Sequence, residues 1–134
     1  MRTLLIQHDH DGYPGALLAP IEAAGEVVRW ETYTQPERPS LDGITAVVSL
    51  GGTAHPDQDD AQPWLAAELD LLEEALDTGV PILGVCLGGQ LLARAAGGAI
   101  GKVEQPEVAR FADVGLLREA EDDLLLAGMP RPFF

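Results

Sequence analysis

The sequence is poor in basic residues, in cysteine and in long apolar runs, and each shortage removes a class of function. Only 8 of its 134 residues are Lys or Arg, against 22 Asp or Glu, giving a formal charge of -14. Nucleic-acid phosphates need clustered Lys and Arg; here the bases are scattered, so nucleic acid is not expected as a partner. The acidity reads as a solvated surface. A single cysteine, Cys86, permits no intrachain disulfide and fits a reducing cytoplasm. No apolar run is long enough to span a bilayer, so no membrane partner is expected. The start, Met1-Arg2-Thr3-Leu4-Leu5-Ile6, resembles a signal peptide for six residues only. Gln7-His8-Asp9-His10-Asp11 then ends the apolar stretch, which reads as a first strand. Internal repeats and low-complexity segments are also missing. No histidine follows Cys86: His8, His10 and His55 all precede it.

What remains is the composition of one globular domain over residues 1–134, with 46% hydrophobic and 22% charged residues. Leu4-Leu5-Ile6, Val27-Val28-Arg29-Trp30, the run from Ile44 through Val47-Val48 to Leu50, and Val80-Pro81-Ile82-Leu83 predict four strands. Leu17, Leu18 and Ile21 predict a helix over 13–24 closed by Gly25, with Pro20 deep enough to kink it. Leu65, Leu69, Leu72 and Leu76 predict an apolar stripe on a helix over 63–78, with Glu68, Asp70, Glu73, Glu74 and Asp77 turned mainly away from it. A further helix is predicted over 90–96, stopped by Gly97-Gly98. Beyond it, Ile100-Gly101-Lys102-Val103 and residues 108–117 read as short excursion strands, and 124–128 as a short helix. Strands alternating with helices imply an α/β fold, a doubly wound and mostly parallel sheet.

Two loops at the carboxyl edge of that sheet invite chemistry. His8-Asp9-His10-Asp11 suggests a metal, but no further ligand set stands at recognisable spacing, so no metal is expected and the stretch reads as a loop. Such a loop lies where open α/β sheets place ligands. Gly51-Gly52-Thr53 follows a buried strand directly, as a tight turn or as backbone approaching a ligand. His55, in a polar acidic loop, is a candidate base for Cys86, with an exposed loop histidine as the favoured reading.

Gly84-Val85-Cys86-Leu87-Gly88 has the spacing of a nucleophile elbow, with glycines two residues before and two after Cys86. The following helix N-terminus favours the thiolate. Attack on a carboxamide or ester carbonyl would be assisted by the Leu87 N–H and by the Gly52 N–H. The alternative is that Cys86 is a small buried hydrophobe.

These residues resemble the class I (triad-type) glutamine amidotransferase family, and most closely its GMP-synthase-like stand-alone members. The resemblance runs through Gly51-Gly52, Pro63-Trp64-Leu65, the stretch from Gly79 through Cys86-Leu87-Gly88-Gly89-Gln90 to Ala93, Gly97-Gly98 and the segment 123–128, with Cys-x-Gly-x-Gln as its specific core. It implies a flavodoxin-like sheet with the elbow after the fourth strand. It also implies that Cys86 forms a γ-glutamyl thioester and releases ammonia without a cofactor. Gly52 and Leu87 would then provide oxyanion N–H groups, Gln90 would bind the glutamine, and Gly88 would keep the turn tight. The family's triad continues with a histidine, and an acid two positions later, on a strand well after the elbow. That pair is absent here, so the expectation is a domain C-terminally truncated before the His-x-Glu, with negligible glutaminase activity as a 134-residue polypeptide. An uncovered sheet and Phe133-Phe134 would favour a synthase subunit or self-association as partner. Two other readings compete: a DJ-1/PfpI-like cysteine protein acting in redox or small-aldehyde chemistry, and a truncated non-catalytic binding domain. Gln90 favours the amidotransferase.

Overall fold

Every strand of the sheet is parallel, and their order places the two glycine-bearing turns side by side. In a computed structural model, which describes residues 1–102, 115, 118–123 and 126–128, β1 (Arg2–Gln7), β2 (Glu26–Glu31), β3 (Ala46–Ser49) and β4 (Ile82–Gly84) form one sheet in the order β2-β1-β3-β4. The register pairs Leu4 with Val28 on one side and with Val47 on the other, and Val48 with Leu83. This is the flavodoxin-like order, whose switch point falls between β1 and β3. The chain divides into two compact units, Met1–Gly101 and Lys102–Phe134.

Alternation along β1 and β3 sends side chains to two cores. Leu4, Ile6 and Val47 join Trp30, and the long helix α2 (Pro63–Asp77) and α3 (Leu87–Ala95) cover them through Leu65, Leu72, Leu87 and Leu91. Leu5, Val48 and Leu50 face the other way, where Leu17, Leu18 and Ile21 pack on them. Helices on both faces make the sheet doubly wound, and β1 at its centre is buried from Thr3 to Gln7.

Several element boundaries differ from the sequence expectation. The segment 13–24 splits into a 3-10 turn, Gly15–Leu17, and α1, Leu18–Ala24. Pro20 therefore lies in the first turn of α1, where its missing N–H has no partner to lose, and it causes no kink. α3 begins at Leu87, directly after Cys86, and Gly97 (φ 80°) closes it with its N–H on the Arg94 carbonyl at 2.8 Å. On α2 the buried face is Trp64, Leu65, Glu68, Leu71, Leu72 and Ala75, while Leu76 is exposed. Glu68 is thus on the core stripe, three residues after Leu65 and four before Leu72, which corrects its expected outward orientation.

In the second unit a 3-10 turn spans Arg118–Glu121, and residues 126–128 form a turn in place of the expected helix. Asp123 holds that turn, its carboxylate accepting from the Leu126 N–H at 2.9 Å and its carbonyl from the Ala127 N–H at 2.8 Å. Ile100-Gly101-Lys102 form no strand. Val103, residues 108–114, 116 and 117, Leu124, Leu125 and Phe133-Phe134 lie outside the described residues.

Candidate active site

Cys86 is exposed and takes φ 53°, ψ -111°, alone among the described non-glycine residues in having positive φ. An L-residue is held there only when the surroundings determine it, at a cost of about 1–3 kcal/mol. The surroundings are the close packing of β4, β3 and α3. A Cβ on Gly84 would lie 2.7 Å from the Gly88 carbonyl and from Gly89 backbone atoms, and one on Gly88 would lie 2.3 Å from both Ser49 oxygens. The Gly88 N–H, shared at 3.0 Å between the Leu50 and Val85 carbonyls, ties the helix start to the end of β3. Sequence spacing predicted an elbow, and the backbone makes one after the fourth strand.

The Gly51-Gly52 turn runs beside the cysteine. The Cβ position on Gly51 lies 3.4 Å from Cys86 Cβ and 3.9 Å from Sγ; that on Gly52 lies 2.8 Å from both His8 Cβ and Leu87 Cδ2. Neither Gly52 nor Leu87 has a backbone acceptor for its N–H among the described residues. Leu87 and Gly88 are buried, whereas Gln90 is exposed in the first turn of α3, its N–H on the Cys86 carbonyl at 3.1 Å. The five residues singled out from the sequence, Gly52, Cys86, Leu87, Gly88 and Gln90, therefore fall in one region at the carboxyl edge. Beside them opens a cleft of about 670 Å³ whose walls include Asp9, Tyr13, Gly51, Gly52, Thr53 and Val85.

The three histidines have different fates. His10 is exposed, with Asp11 3.5 Å away. His55 faces Asp57 within its own loop, partly exposed. The same loop is held by the Arg94 guanidinium, which donates to the Pro56 carbonyl and reaches Asp59 at 3.2 Å. His8 is 2% exposed, stacked on Trp64 with ring centroids 5.0 Å apart. Its Nε2 meets Glu68 Oε2 at 2.7 Å and its Nδ1 meets the Gly51 carbonyl at 3.2 Å, while Ser49 Oγ donates to Glu68 Oε1 at 2.6 Å. No hydrogen bond joins any of the three to Cys86 among the described residues, and no group of three or more His, Cys, Asp or Glu there is placed to hold a metal. Glu68 and Ser49 were not singled out from the sequence; the signal for Glu68 was its place between Leu65 and Leu72 in the apolar spacing.

His8 has its pKa raised above the ordinary 6.5. Burial is the largest single influence and pushes it down; the hydrogen bond and charge of Glu68, then the Gly51 carbonyl and the Asp9 charge, together outweigh it. A folded pKa above the unfolded one means stability that is fully present below the unfolded pKa of 6.5 and lost as pH rises through the native value. Resistance of the wild type to urea should therefore fall as pH is raised from roughly 6 upward, and that loss should be absent in His8→Phe/Glu68→Gln. A pH-independent difference between the two would show that His8 does not change its charge.

Comparison with known proteins agrees with this geometry. The pattern of the family described as glutamine amidotransferase class-I matches residues 16–129. The chain is 40% identical over 71 residues to a glutamine-hydrolysing GMP synthase subunit of Methanococcus aeolicus, covering 53% of this chain and 36% of that protein. It is 38% identical over 96 residues to the protein of the same name from Haloarcula marismortui, covering 72% and 42%. A crystal structure of a glutamine amidotransferase from Thermotoga maritima superposes with a TM-score of 0.66 at 30% identity, over 72% of this chain and 43% of that one. The chain thus spans less than half the length of these relatives. No helix among the described residues is long and apolar enough to cross a membrane. With the elbow, the paired glycines and the sheet order in the places the resemblance implied, the chain belongs to the class-I glutamine amidotransferase family.

Proposed function

We propose that residues 1–134 are one domain's glutamine-binding and thioester-forming part, acting on the side-chain amide of glutamine. The single observation that carries this is the strained, exposed Cys86 of the elbow, followed by Leu87 and bordered by the Gly51-Gly52 turn, with no backbone acceptor for the Leu87 or Gly52 N–H among the described residues. The Cys86 thiolate attacks the amide carbon, the oxygen takes negative charge against those two donors, and the C–N bond breaks as the departing nitrogen takes a proton from solvent water or from a general acid supplied outside these 134 residues, since no histidine is hydrogen-bonded to Cys86 among the described residues. Water then cleaves the thioester to glutamate. Gln90, exposed at the start of α3, and the cleft by Asp9 and Tyr13 are the surfaces available to the rest of the substrate. Gly88 contributes by close packing. The family match favours this chemistry over DJ-1/PfpI-like redox or aldehyde reactions. The two GMP synthase relatives are subunits by name, which supports, as the partner that consumes the ammonia, a synthase subunit. A reducing cytoplasm keeps Cys86 a free thiol.

Protection measures the binding step. L-glutamine should slow alkylation of Cys86 by iodoacetamide in a saturable way, while an amino acid lacking the side-chain carbonyl should not. Equal alkylation rates with and without glutamine would reject the reading.

A further inference from the structure

The buried His8–Glu68 pair is unused by the thioester chemistry, and its placement assigns it a task. A buried ion pair adds little net stability compared with apolar residues of the same volume, so stability alone does not account for it. Its ring is fixed from every side. Trp64 stacks on it with an interplanar angle of 21°, Glu68 holds Nε2, and Glu68 is itself held by the Ser49 hydroxyl. His8, Glu68 and Ser49 are 2%, 0% and 0% exposed. Both ring nitrogens face acceptors, a carboxylate and the Gly51 carbonyl, so the ring that satisfies both is the imidazolium.

We propose that the His8–Glu68 pair positions the oxyanion hole, with His8 Nδ1–H holding the Gly51 carbonyl in the core so that the Gly52 N–H is turned outward beside Cys86. The step from one end of the peptide to the other is covalent. A trans peptide is planar, and its carbonyl and N–H point in opposite directions. Fixing the Gly51 oxygen on His8 therefore fixes the Gly52 N–H away from the core, in a turn that borders Cys86 Sγ through Gly51. The next residue is pinned from the same strand end, since the Asp9 carboxylate accepts from the Thr53 N–H at 2.6 Å and from its hydroxyl at 3.2 Å. Gly52 is also wedged between His8 Cβ and Leu87 Cδ2. An apolar residue at position 8 would fill the same space but leave the peptide free to flip, taking the oxyanion donor with it. His8 is a positioning residue, acting through Gly52.

This inference rests on the glutamine reading above, and the test separates the two. A chloroketone analogue of glutamine reacts through a carbonyl addition that uses the oxyanion donors, ending with a Cys86 thioether and released chloride. Iodoacetamide reacts by direct displacement of iodide and needs only the thiolate. In His8→Phe/Glu68→Gln the phenyl ring retains the stack on Trp64 and the new amide at position 68 retains the Ser49 bond, so no buried charge is orphaned. The ratio of chloroketone to iodoacetamide rates should fall about 10- to 100-fold in this variant, with the iodoacetamide rate itself held to about twofold. In His8→Asn/Glu68→Gln the Asn amide N–H stands where Nδ1 stood, and most of the ratio should return. An unchanged ratio in the Phe variant, a parallel fall in both rates, or an Asn variant no better than Phe would each overturn the proposal. A wild-type chain that shows no preference for the glutamyl chloroketone over a simple one would instead reject the glutamine reading itself.

Discussion

Replacing Cys86 by glycine should abolish covalent reaction with glutamine-type electrophiles and at the same time make the protein more stable. The loss of reactivity is complete because the residue is the chain's single thiol. Even Cys86→Ser should lose at least about 10⁴-fold, since a hydroxyl with no base beside it is rarely ionised. The gain in stability comes from the backbone. Cys86 sits at φ 53°, ψ -111°, where a Cβ crowds its own carbonyl and glycine does not. Removing the side chain should release about 1–2 kcal/mol, a shift readable as a higher urea midpoint at unchanged slope. Cys86 is exposed, so little packing is lost in exchange. Cys86→Ala, which keeps the Cβ and hence the strain, should show the loss of chemistry without the gain. If Gly and Ala proved equally stable, the elbow would not be under tension, and the exposure of the thiol would need another cause.

Gly88→Ala should be among the most damaging single substitutions available. The new methyl would sit 2.3 Å from the Ser49 carbonyl oxygen and hydroxyl, and 2.6 Å from the carbonyl carbon. Backbone atoms of a central strand cannot step aside as a flexible side chain would, so α3 has to move off β3. That motion breaks the Gly88 N–H bond to Leu50 and draws Ser49 from Glu68, disturbing the buried network that ends on Gly51. A cost of about 3 kcal/mol or more is expected, at the upper end for overpacking, with chloroketone labelling reduced beyond what lost folded protein explains. Gly97→Ala is the control. It places a methyl in open space at φ 80° and should cost only about 1 kcal/mol, without touching the labelling rate. A Gly88→Ala protein as stable as Gly97→Ala would mean that the close approach of α3 to β3 is not as described.

The comparison of these two glycines also shows where the sequence is readable. Strands came through because Leu4-Leu5-Ile6 and Val47-Val48 are short apolar runs, and glycines or polar turns end them. The elbow came through because its spacing is local, five residues with their conformational needs visible. Helix starts were less legible: α3 begins three residues earlier than its strong helix formers suggest, since the elbow itself supplies the first turn. The buried network was illegible for a different reason. His8 and Glu68 are 60 residues apart, and each alone has an ordinary explanation, a loop histidine and a solvated carboxylate. Only the sheet order, which sets the end of β1 against the end of β3 and under α2, turns two unremarkable polar residues into one pair. Glu68 was nonetheless on the apolar spacing of its helix, and a charge on a core stripe is the trace that a buried partner leaves in sequence.

The most direct test is the crystal structure of the chain with an aldehyde analogue of glutamine, which adds Cys86 Sγ across its carbonyl to give a tetrahedral hemithioacetal. The expected result is a Cys86 adduct whose oxygen lies about 2.7–3.1 Å from both the Leu87 and Gly52 nitrogens, with the Gly51 carbonyl still on His8. An adduct with its oxygen turned to solvent or to other donors, or a Gly51-Gly52 peptide flipped away from His8, would contradict the oxyanion site described for this elbow.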